Sequence, residues 1–545
     1  MTCDNKNPAA KPDAFDAIVV GAGFAGLYAL YRLRGMGLHV RVLEAGKGIG
    51  GTWFWNRYPG ARCDVESLEY SYSFSDGLQQ DWDWPERFSP QADILAYINH
   101  VADRFDLRRD IQVESRVVSA VFDDAAQRWT VATAAGERFV APICVMAAGN
   151  LSLPRVPKFP GLESFKGRCF HTALWPEGDV DFTDRRVGII GTGSSGIQLI
   201  PMVAEQAGHL DVFQRTANFS LPAHNRPLTR EDADKHKRRC NEWRAEARRT
   251  PFCIAGHPPP QNYAFDDPPD ERERVYTSKW GTGGNISFLY AYKDLLVDPA
   301  ANETASEYVR QRIRGIVRDP ATAELLSPRD HPIGTKRLCL DSGYYEVFNH
   351  ETVRLVDVRS DPIVEITPEG IRTQSAHYPL DDIVFATGFD AMTGALLDID
   401  VRGGGGLSLR DKWAEGPNTY LGLMTAGFPN MFIITGPGSP SVKANMVAAI
   451  EQHVDWIADC LGFMKTNDLA TIEAERETEI GWGRHVNEVA EATLYPLANS
   501  WYVGANIPGK PRVFMPYVAG LDKYRAICDQ VAADEYPGFT FERRK

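Results

Sequence analysis

The chain has 545 residues, 43% of them hydrophobic and 24% charged, enough for about three or four domains that fold without staples. Its formal net charge of -13 offers no basic excess to neutralise phosphates. That argues against a nucleic-acid partner and an anionic membrane surface, and leaves room for a local basic pocket.

Residues 1–16 are polar, carry Pro8 and Pro12, and lack the basic-then-apolar order of a secretory signal. The longest apolar stretch, 17–33, is interrupted by Gly21, Gly23 and Gly26 and reads as strand, turn and helix rather than a membrane span. Residues 16–20 predict a short buried strand, 27–34 a helix, and 39–43 a second strand ending in Glu44, a β-α-β unit that opens a parallel sheet. The pattern returns at Val187-Gly-Ile-Ile-Gly-Thr-Gly-Ser-Ser-Gly196, followed by a helix and a strand over 210–214. The two units lie about 170 residues apart, as two related folds and not a short-period repeat.

Between 222 and 330, charge-rich helical stretches (230–249 and 305–316) flank a proline-rich irregular segment, 250–269, which predicts a mostly helical insertion with a mobile loop. Strands return at 352–356 and 382–386. From about 390 onward strands and helices mix, and the glycine run 403–406 predicts a hairpin turn. The expected architecture is α/β: two Rossmann-like dinucleotide-binding domains, one for FAD (1–150 plus 390–545) and one for NADP (151–221 plus 331–389), with 222–330 as the insertion. The nine cysteines (Cys3, Cys63, Cys144, Cys169, Cys240, Cys253, Cys339, Cys460 and Cys528) are odd in number with no C-x-x-C spacing. That pattern predicts free thiols, no metal site and a cytoplasmic location.

Gly21, Gly23 and Gly26, with Phe24 and Ala25 between them, form G-x-G-x-x-G after a strand and before a helix. The first glycine permits the tight turn, the second lets backbone approach a pyrophosphate, and the third lets helix and strand pack closely. The helix N-terminus adds free N–H groups. Glu44, about 20 residues on, suits the two free ribose hydroxyls of the adenosine in FAD and would repel a 2′-phosphate. Gly191, Gly193 and Gly196, with Thr192, Ser194 and Ser195, repeat the loop. The strand behind it ends in Arg215 and Thr216 with no acid, so a 2′-phosphate can pair there and NADPH is preferred over NADH; a solvated surface arginine is the alternative for Arg215. Opposite ribose signatures imply hydride transfer from nicotinamide to flavin. With no adjacent cysteine pair, dioxygen is the electron outlet.

Phe165-Lys-Gly-Arg-Cys-Phe-His171-Thr-Ala-Leu-Trp175-Pro176 resembles the F-x-G-x-x-x-H-x-x-x-W-P signature of Baeyer–Villiger monooxygenases. The segment Gly50-Gly51-Thr52-Trp53-Phe54-Trp55-Asn-Arg-Tyr58-Pro-Gly-Ala-Arg-Cys-Asp64 resembles a second signature. Gly334-Thr-Lys336-Arg337, Ala386-Thr-Gly388, Gly436-Pro-Gly-Ser-Pro440 and Ser500-Trp501-Tyr502-Val-Gly504-Ala-Asn506 match as well, so the resemblance spans about 15 to 540. It is nearest the phenylacetone- and steroid-oxidising branch. N-oxygenating flavin monooxygenases are cousins whose signature usually lacks the Trp-Pro ending.

The resemblance implies an enzyme that uses FAD, NADPH/NADP+ and O2 to turn a small-molecule ketone into an ester or lactone through a C4a-peroxyflavin, with sulfoxidation as a side activity. It implies Arg337 as the catalytic cation, since a guanidinium keeps its charge and stabilises both an anionic peroxide and an oxyanion. Asp64 orients Arg337, or alternatively caps its own turn. Lys336 joins Arg215 and Thr216 at the 2′-phosphate. His171 and Trp175 are conformational, or structural. Trp53 and Trp55 pack near the flavin, with plain core packing the alternative for Trp55, and Tyr58 belongs to the same cofactor-binding stretch. Trp501 closes over nicotinamide on a segment that Gly504 and Gly509 hinge. The substrate pocket is expected from Phe54, Val65, Asn150, Leu151, Leu338, Leu340, Ser441, Val442 and Met446. The rival readings are an N- or S-oxygenating flavin monooxygenase, a peroxide-releasing oxidase and a nucleotide-sensing module. A monomer or weak homo-oligomer is expected.

Overall fold

The structure is a computed structural model that describes residues 13–544. Cys3, Pro8, Pro12 and most of the polar leader lie outside the described residues. Ala17–Val20 is buried at every position, as a strand inside a parallel sheet must be. Val40–Leu43 and Ile143–Met146 flank it, and Ile111–Gln112 and Met431–Ile433 complete a five-stranded parallel sheet. Arg186–Ile190 is the centre of a second one, between His209–Gln214 and Asp382–Phe385, with Val353–Asp357 and Arg168–His171 at the edges.

The register of both sheets positions the site. Val20 is level with Leu43 and Met146, and Ile190 with Phe213 and Phe385. Each glycine loop therefore leaves its strand where both neighbours also end. That crevice, at the carboxyl ends of parallel strands, is where open α/β sheets bind ligands.

A third sheet is a meander of Val117–Asp123, Arg128–Thr133 and Arg138–Ala141, with Asp13–Ala14 and Asp400–Arg402 added in parallel at its edges. The insertion is helical because its sequence caps itself. Thr229 and Asp232 close a capping box on Arg230–Ala247. Asp298 and Asp319 each cap a helix whose first residue is proline, Pro299–Ile316 and Pro320–Leu326. Residues 250–269 hold one short 3-10 turn, Ala264–Asp266, before the helix Pro269–Thr282. The glycine run 403–406 includes the 3-10 turn Gly404–Gly406. It is a tight turn closing a single antiparallel bridge, Arg402 to Ser408, and Gly405 and Gly406 take positive φ there. No helix among the described residues is long and apolar enough to cross a membrane, and no cluster of metal-ligating side chains occurs among them. The eight described cysteines are free, and all but Cys169 are buried.

The second sheet is pinned by one carboxylate. Asp382 has 0% side-chain exposure and accepts from Arg168 Nε and Nη2, each at 2.7 Å, and from Arg185. Burial alone would raise its pKa; the two guanidiniums reverse that and hold it below the usual range. A carboxylate with a depressed folded pKa stabilises fully above its unfolded value and loses the contribution as pH falls through the folded one. Asp382→Asn is expected to cost about 2 kcal/mol at pH 7, less than for a fully buried pair because both arginines can rehydrate. Thermal unfolding measures the loss, and the gap from wild type should narrow toward pH 3.

Candidate active site

The two glycine loops are built by the same sterics. Gly21 has φ 105° and Gly191 φ 112°, values that favour glycine. A Cβ on either would strike a carbonyl of the crossing loop, Ala147 or Ala386. A Cβ on Gly26 or Gly196 would collide with the carbonyl of Gly21 or Gly191, so these third glycines set the helix–strand contact. The helices Phe24–Gly35 and Ser194–Ala204 begin without a side-chain cap and without an acid in the first turn. Their first N–H groups are left for a pyrophosphate. Gly51, at φ 53°, lies against Gly23 and continues the first loop into the turn Thr52–Trp55.

Both loops open into one cavity of about 1360 Å³. At its first end Glu44, only 4% exposed, accepts from Ala22 N–H at 2.8 Å and Gly46 N–H at 2.7 Å. Burial raises its pKa, and these N–H groups and Arg116 oppose that. At the other end the charge is reversed. Arg155, Arg215, Lys336 and Arg359 line the wall, with Asp330 3.8 Å from Lys336 Nζ. Burial pulls Lys336 down, Asp330 pushes it up, and Arg215 and Arg359 pull it down again. Arg155 is pulled down by burial and by Arg215. Several cations gathered on one wall have the chemistry to pair with a multiply charged anion. Thr192 Oγ1 donates to Thr216 O at 3.0 Å and ties the second loop to the strand end.

Between the two ends stands Arg337. Its Nε donates to Asp64 Oδ2 at 2.6 Å and its Nη2 to Asp64 Oδ1. Its Nη1 donates to the Val442 carbonyl at 2.8 Å. Burial would lower its pKa, but Asp64 wins and raises it further, so the guanidinium stays charged. The side chains keep 29% and 18% exposure toward the cavity. Asp64 is delivered by the turn after Tyr58. Tyr58 donates to Gln198 Oε1 at 2.7 Å, Gln198 Nε2 donates to Arg62 O at 3.0 Å, and Gly60, at φ 82°, packs on the Gln198 backbone. The turn from the first half is thereby clamped to the helix of the second.

Residues 15–222 match the family described as FMO-like, flavin-binding monooxygenase-like. A Baeyer–Villiger monooxygenase of Pseudooceanicola batsensis is 42% identical over 97% of this chain and 96% of its own length. The solved oxidised steroid monooxygenase bound to NADP aligns with TM-score 0.93 at 51% identity, over 97% of this chain and 100% of that one. The chain belongs to the Baeyer–Villiger monooxygenase family. A phenazine N-monooxygenase of Lysobacter antibioticus is also similar, at 40% identity over 96% of both chains.

The family signature residues hold the frame. His171 Nδ1 accepts from Ala173 N–H at 3.1 Å, so Nε2 carries the proton and faces Arg155 O at 3.1 Å and Thr387 Oγ1 at 3.2 Å. Burial lowers its pKa. Both ring nitrogens are engaged, and the ring ties the 151–159 linker to the second sheet. Trp175 is buried against Phe170 and Phe182. Trp53 donates to Tyr70 Oη at 3.1 Å, and Trp53, Trp55 and Trp501 all line the cavity.

Val65, Asn150, Leu151, Val442 and Met446 also line the cavity, but Phe54, Leu338, Leu340 and Ser441 do not. Phe54 turns away under Gly46 and Gly48 and stacks on Arg57, because successive residues of a helical turn point about 100° apart. Leu338 and Leu340 pack into the core shared with the insertion. Ser441 is buried behind the wall and accepts from Asn150 Nδ2 at 2.6 Å. The sequence reading missed Arg155, Arg359 and Arg116. Arg359 follows the strand Val353–Asp357, which pairs in parallel with the strand ending at Gln214 and brings Arg359 near Arg215. Arg155 and Arg116 had no signal in the sequence.

Arg359→Ala and Arg215→Ala are each expected to raise the KM for NADPH about 10- to 100-fold, the worth of a charge-assisted hydrogen bond, with the KM for NADH little changed. Steady-state kinetics with both nucleotides measures this, and equal loss for both would refute the 2′-phosphate assignment.

Proposed function

We propose that this chain is an FAD-containing, NADPH- and O2-consuming Baeyer–Villiger monooxygenase that converts small ketones to esters or lactones. The observation that carries the reading is the Arg337–Asp64 pair on the wall of one cavity shared by two dinucleotide loops of opposite ribose chemistry. On this reading residues 1–150 and 390–545 bind FAD, 151–221 and 331–389 bind NADP, and 222–330 cover them. Gly21, Gly23 and the N-terminus of Phe24–Gly35 hold the FAD pyrophosphate and Glu44 its ribose. Gly191, Gly193 and Ser194 hold that of NADPH, and the Arg155, Arg215, Lys336 and Arg359 group its 2′-phosphate.

Bound flavin supplies acceptance of hydride from NADPH and transfer of one oxygen atom of O2 from its C4a position. The residues supply electrostatics and geometry. A guanidinium has five N–H groups; Asp64 takes two and Val442 one. Two remain, on Nη1 and Nη2, to donate to an oxyanion that forms at the ketone carbon. Asp64 keeps the charge in place in the cavity without consuming those donors. Val65, Leu151, Val442 and Met446 give the wall an apolar surface that suits a hydrophobic ketone and excludes water. His171 has no free nitrogen with which to abstract a proton, which supports a conformational role. The same oxygen donor would also convert thioethers to sulfoxides.

Arg337→Ala is expected to retain FAD and NADPH oxidation while ester formed per NADPH falls at least about 100-fold, the usual cost of one oxyanion donor. Product analysis across linear, cyclic, aryl and steroid ketones reads this, and ester formation at the normal rate would sink the assignment. The similarity to a phenazine N-monooxygenase favours N-oxygenation as the second reading. A phenazine included in the panel decides between them: N-oxide without ester from any ketone would replace the first reading by the second.

A further inference from the structure

Three consecutive residues behind Arg337 each reach a different part of the molecule. Ser441, at φ 42°, accepts from Asn150 Nδ2 at the start of the linker. Val442 O accepts from Arg337 Nη1 at 2.8 Å. Lys443 places its Nζ 4.0 Å from the ring centroid of Tyr495 and 4.6 Å from that of Tyr502. Lys237, Lys336, Lys412 and Lys510 each face a carboxylate; Lys443 forms no ion pair among the described residues, and the two phenol faces are its partners. Burial and the Arg337 charge push its pKa well down, whereas aromatic faces favour the ammonium. A lysine whose stem and head are spent on two rings beside another cation holds those rings in place.

The rings belong to the segment that covers the cavity. Trp501, Ala505, Asn506 and Arg512 line it, and Gly504 and Gly509 take φ 70° and 78° between them. The Tyr502 hydroxyl is buried with no hydrogen-bond partner and lies beside Arg337, whose charge works against the rise that burial gives the phenol. We propose that Lys443 is a positioning residue that fastens segment 495–514 to the turn holding Arg337, so that closure of the segment over the cavity and the pose of Arg337 are one event. The proposal rests on the role given to Arg337 above.

Trypsin cleavage after Arg512 reports segment opening, because Lys510 is followed by Pro511 and resists cutting. In FAD-loaded protein with NADP+ present, Lys443→Met is expected to be cut about five-fold faster than wild type, from the loss of two ring contacts with the cation. Lys443→Arg, which keeps the cation, should stay within about two-fold of wild type. Tyr495→Leu approaches the same contact from the other side and should match Lys443→Met. With a ketone that yields ester, Lys443→Met should at least double the share of NADPH lost as hydrogen peroxide, and Lys443→Arg should restore it. Cleavage of Lys443→Met at the wild-type rate overturns the proposal, as does Lys443→Arg cut as fast as Lys443→Met. If wild type gives no ester from any ketone, the assignment of Arg337 fails, while the cleavage comparison still decides whether Lys443 fastens the segment.

Discussion

The structure depends on keeping one guanidinium charged inside a cavity without using up its donors. An isolated buried cation is costly, and a cation surrounded by carboxylates has nothing left to give. Asp64 solves this with a two-point contact along one edge of Arg337, and the Val442 carbonyl fixes a third N–H. The pair is neutral overall, so the cavity tolerates it. The free edge remains polarised toward whatever negative charge develops next to it. The three contributors come from distant parts of the chain: the turn after the first glycine loop, the approach to Cys339–Asp341, and the turn ahead of the helix Met446–Thr466. The site exists only when both parallel sheets and the tail are assembled.

The same loop geometry serves two nucleotides because sterics and charge are set by different residues. Positive φ at the first glycine and the missing Cβ at the third are properties of any tight strand-to-helix turn of this type, and they recur almost angle for angle at Gly21 and Gly191. Discrimination lies one strand further on. Glu44 spends part of its carboxylate on backbone N–H groups at the first loop, whereas the second strand ends at Arg215, which shares the cavity wall with Arg155, Lys336 and Arg359. On the proposed reading the two loops would hold a pyrophosphate alike, and the strand ends would select the ribose.

Features carried by local pattern were legible in the sequence. The buried strands, the glycine loops, the capped helices of the insertion and the acidic and basic strand ends follow from nearest neighbours in the chain. The exact wall of the cavity depends on pairing between distant segments, which periodicity does not report. Two misplacements were nonetheless avoidable. Along an extended segment side chains alternate; with Arg337 on the cavity wall, Leu338 and Leu340 fall on the opposite side, in the core shared with the insertion. Three consecutive aromatic residues on one helical turn likewise cannot share a face, and Phe54 is the one turned out. Arg155 carried no pattern because its place comes from the linker's path, which is fixed by a bridge from Pro154 to Phe389.

That linker is fixed by hydrogen bonds from side chains that lie outside the cavity wall's catalytic pair. His171 holds Arg155 O and Thr387 Oγ1 from the edge strand of the second sheet, and Arg155 in turn places its guanidinium among the cations that await a phosphate. Asn150, five residues earlier, reaches Ser441 beside the Arg337 carbonyl partner. Nucleotide charge at one end of the linker and guanidinium pose at the other are thus joined by a short stretch of chain with hydrogen bonds at both ends. A neutral imidazole with both nitrogens engaged suits that task, because no change of protonation near neutral pH would release it. Conformational coupling of this kind needs fixed partners, and the arrangement around His171 supplies them.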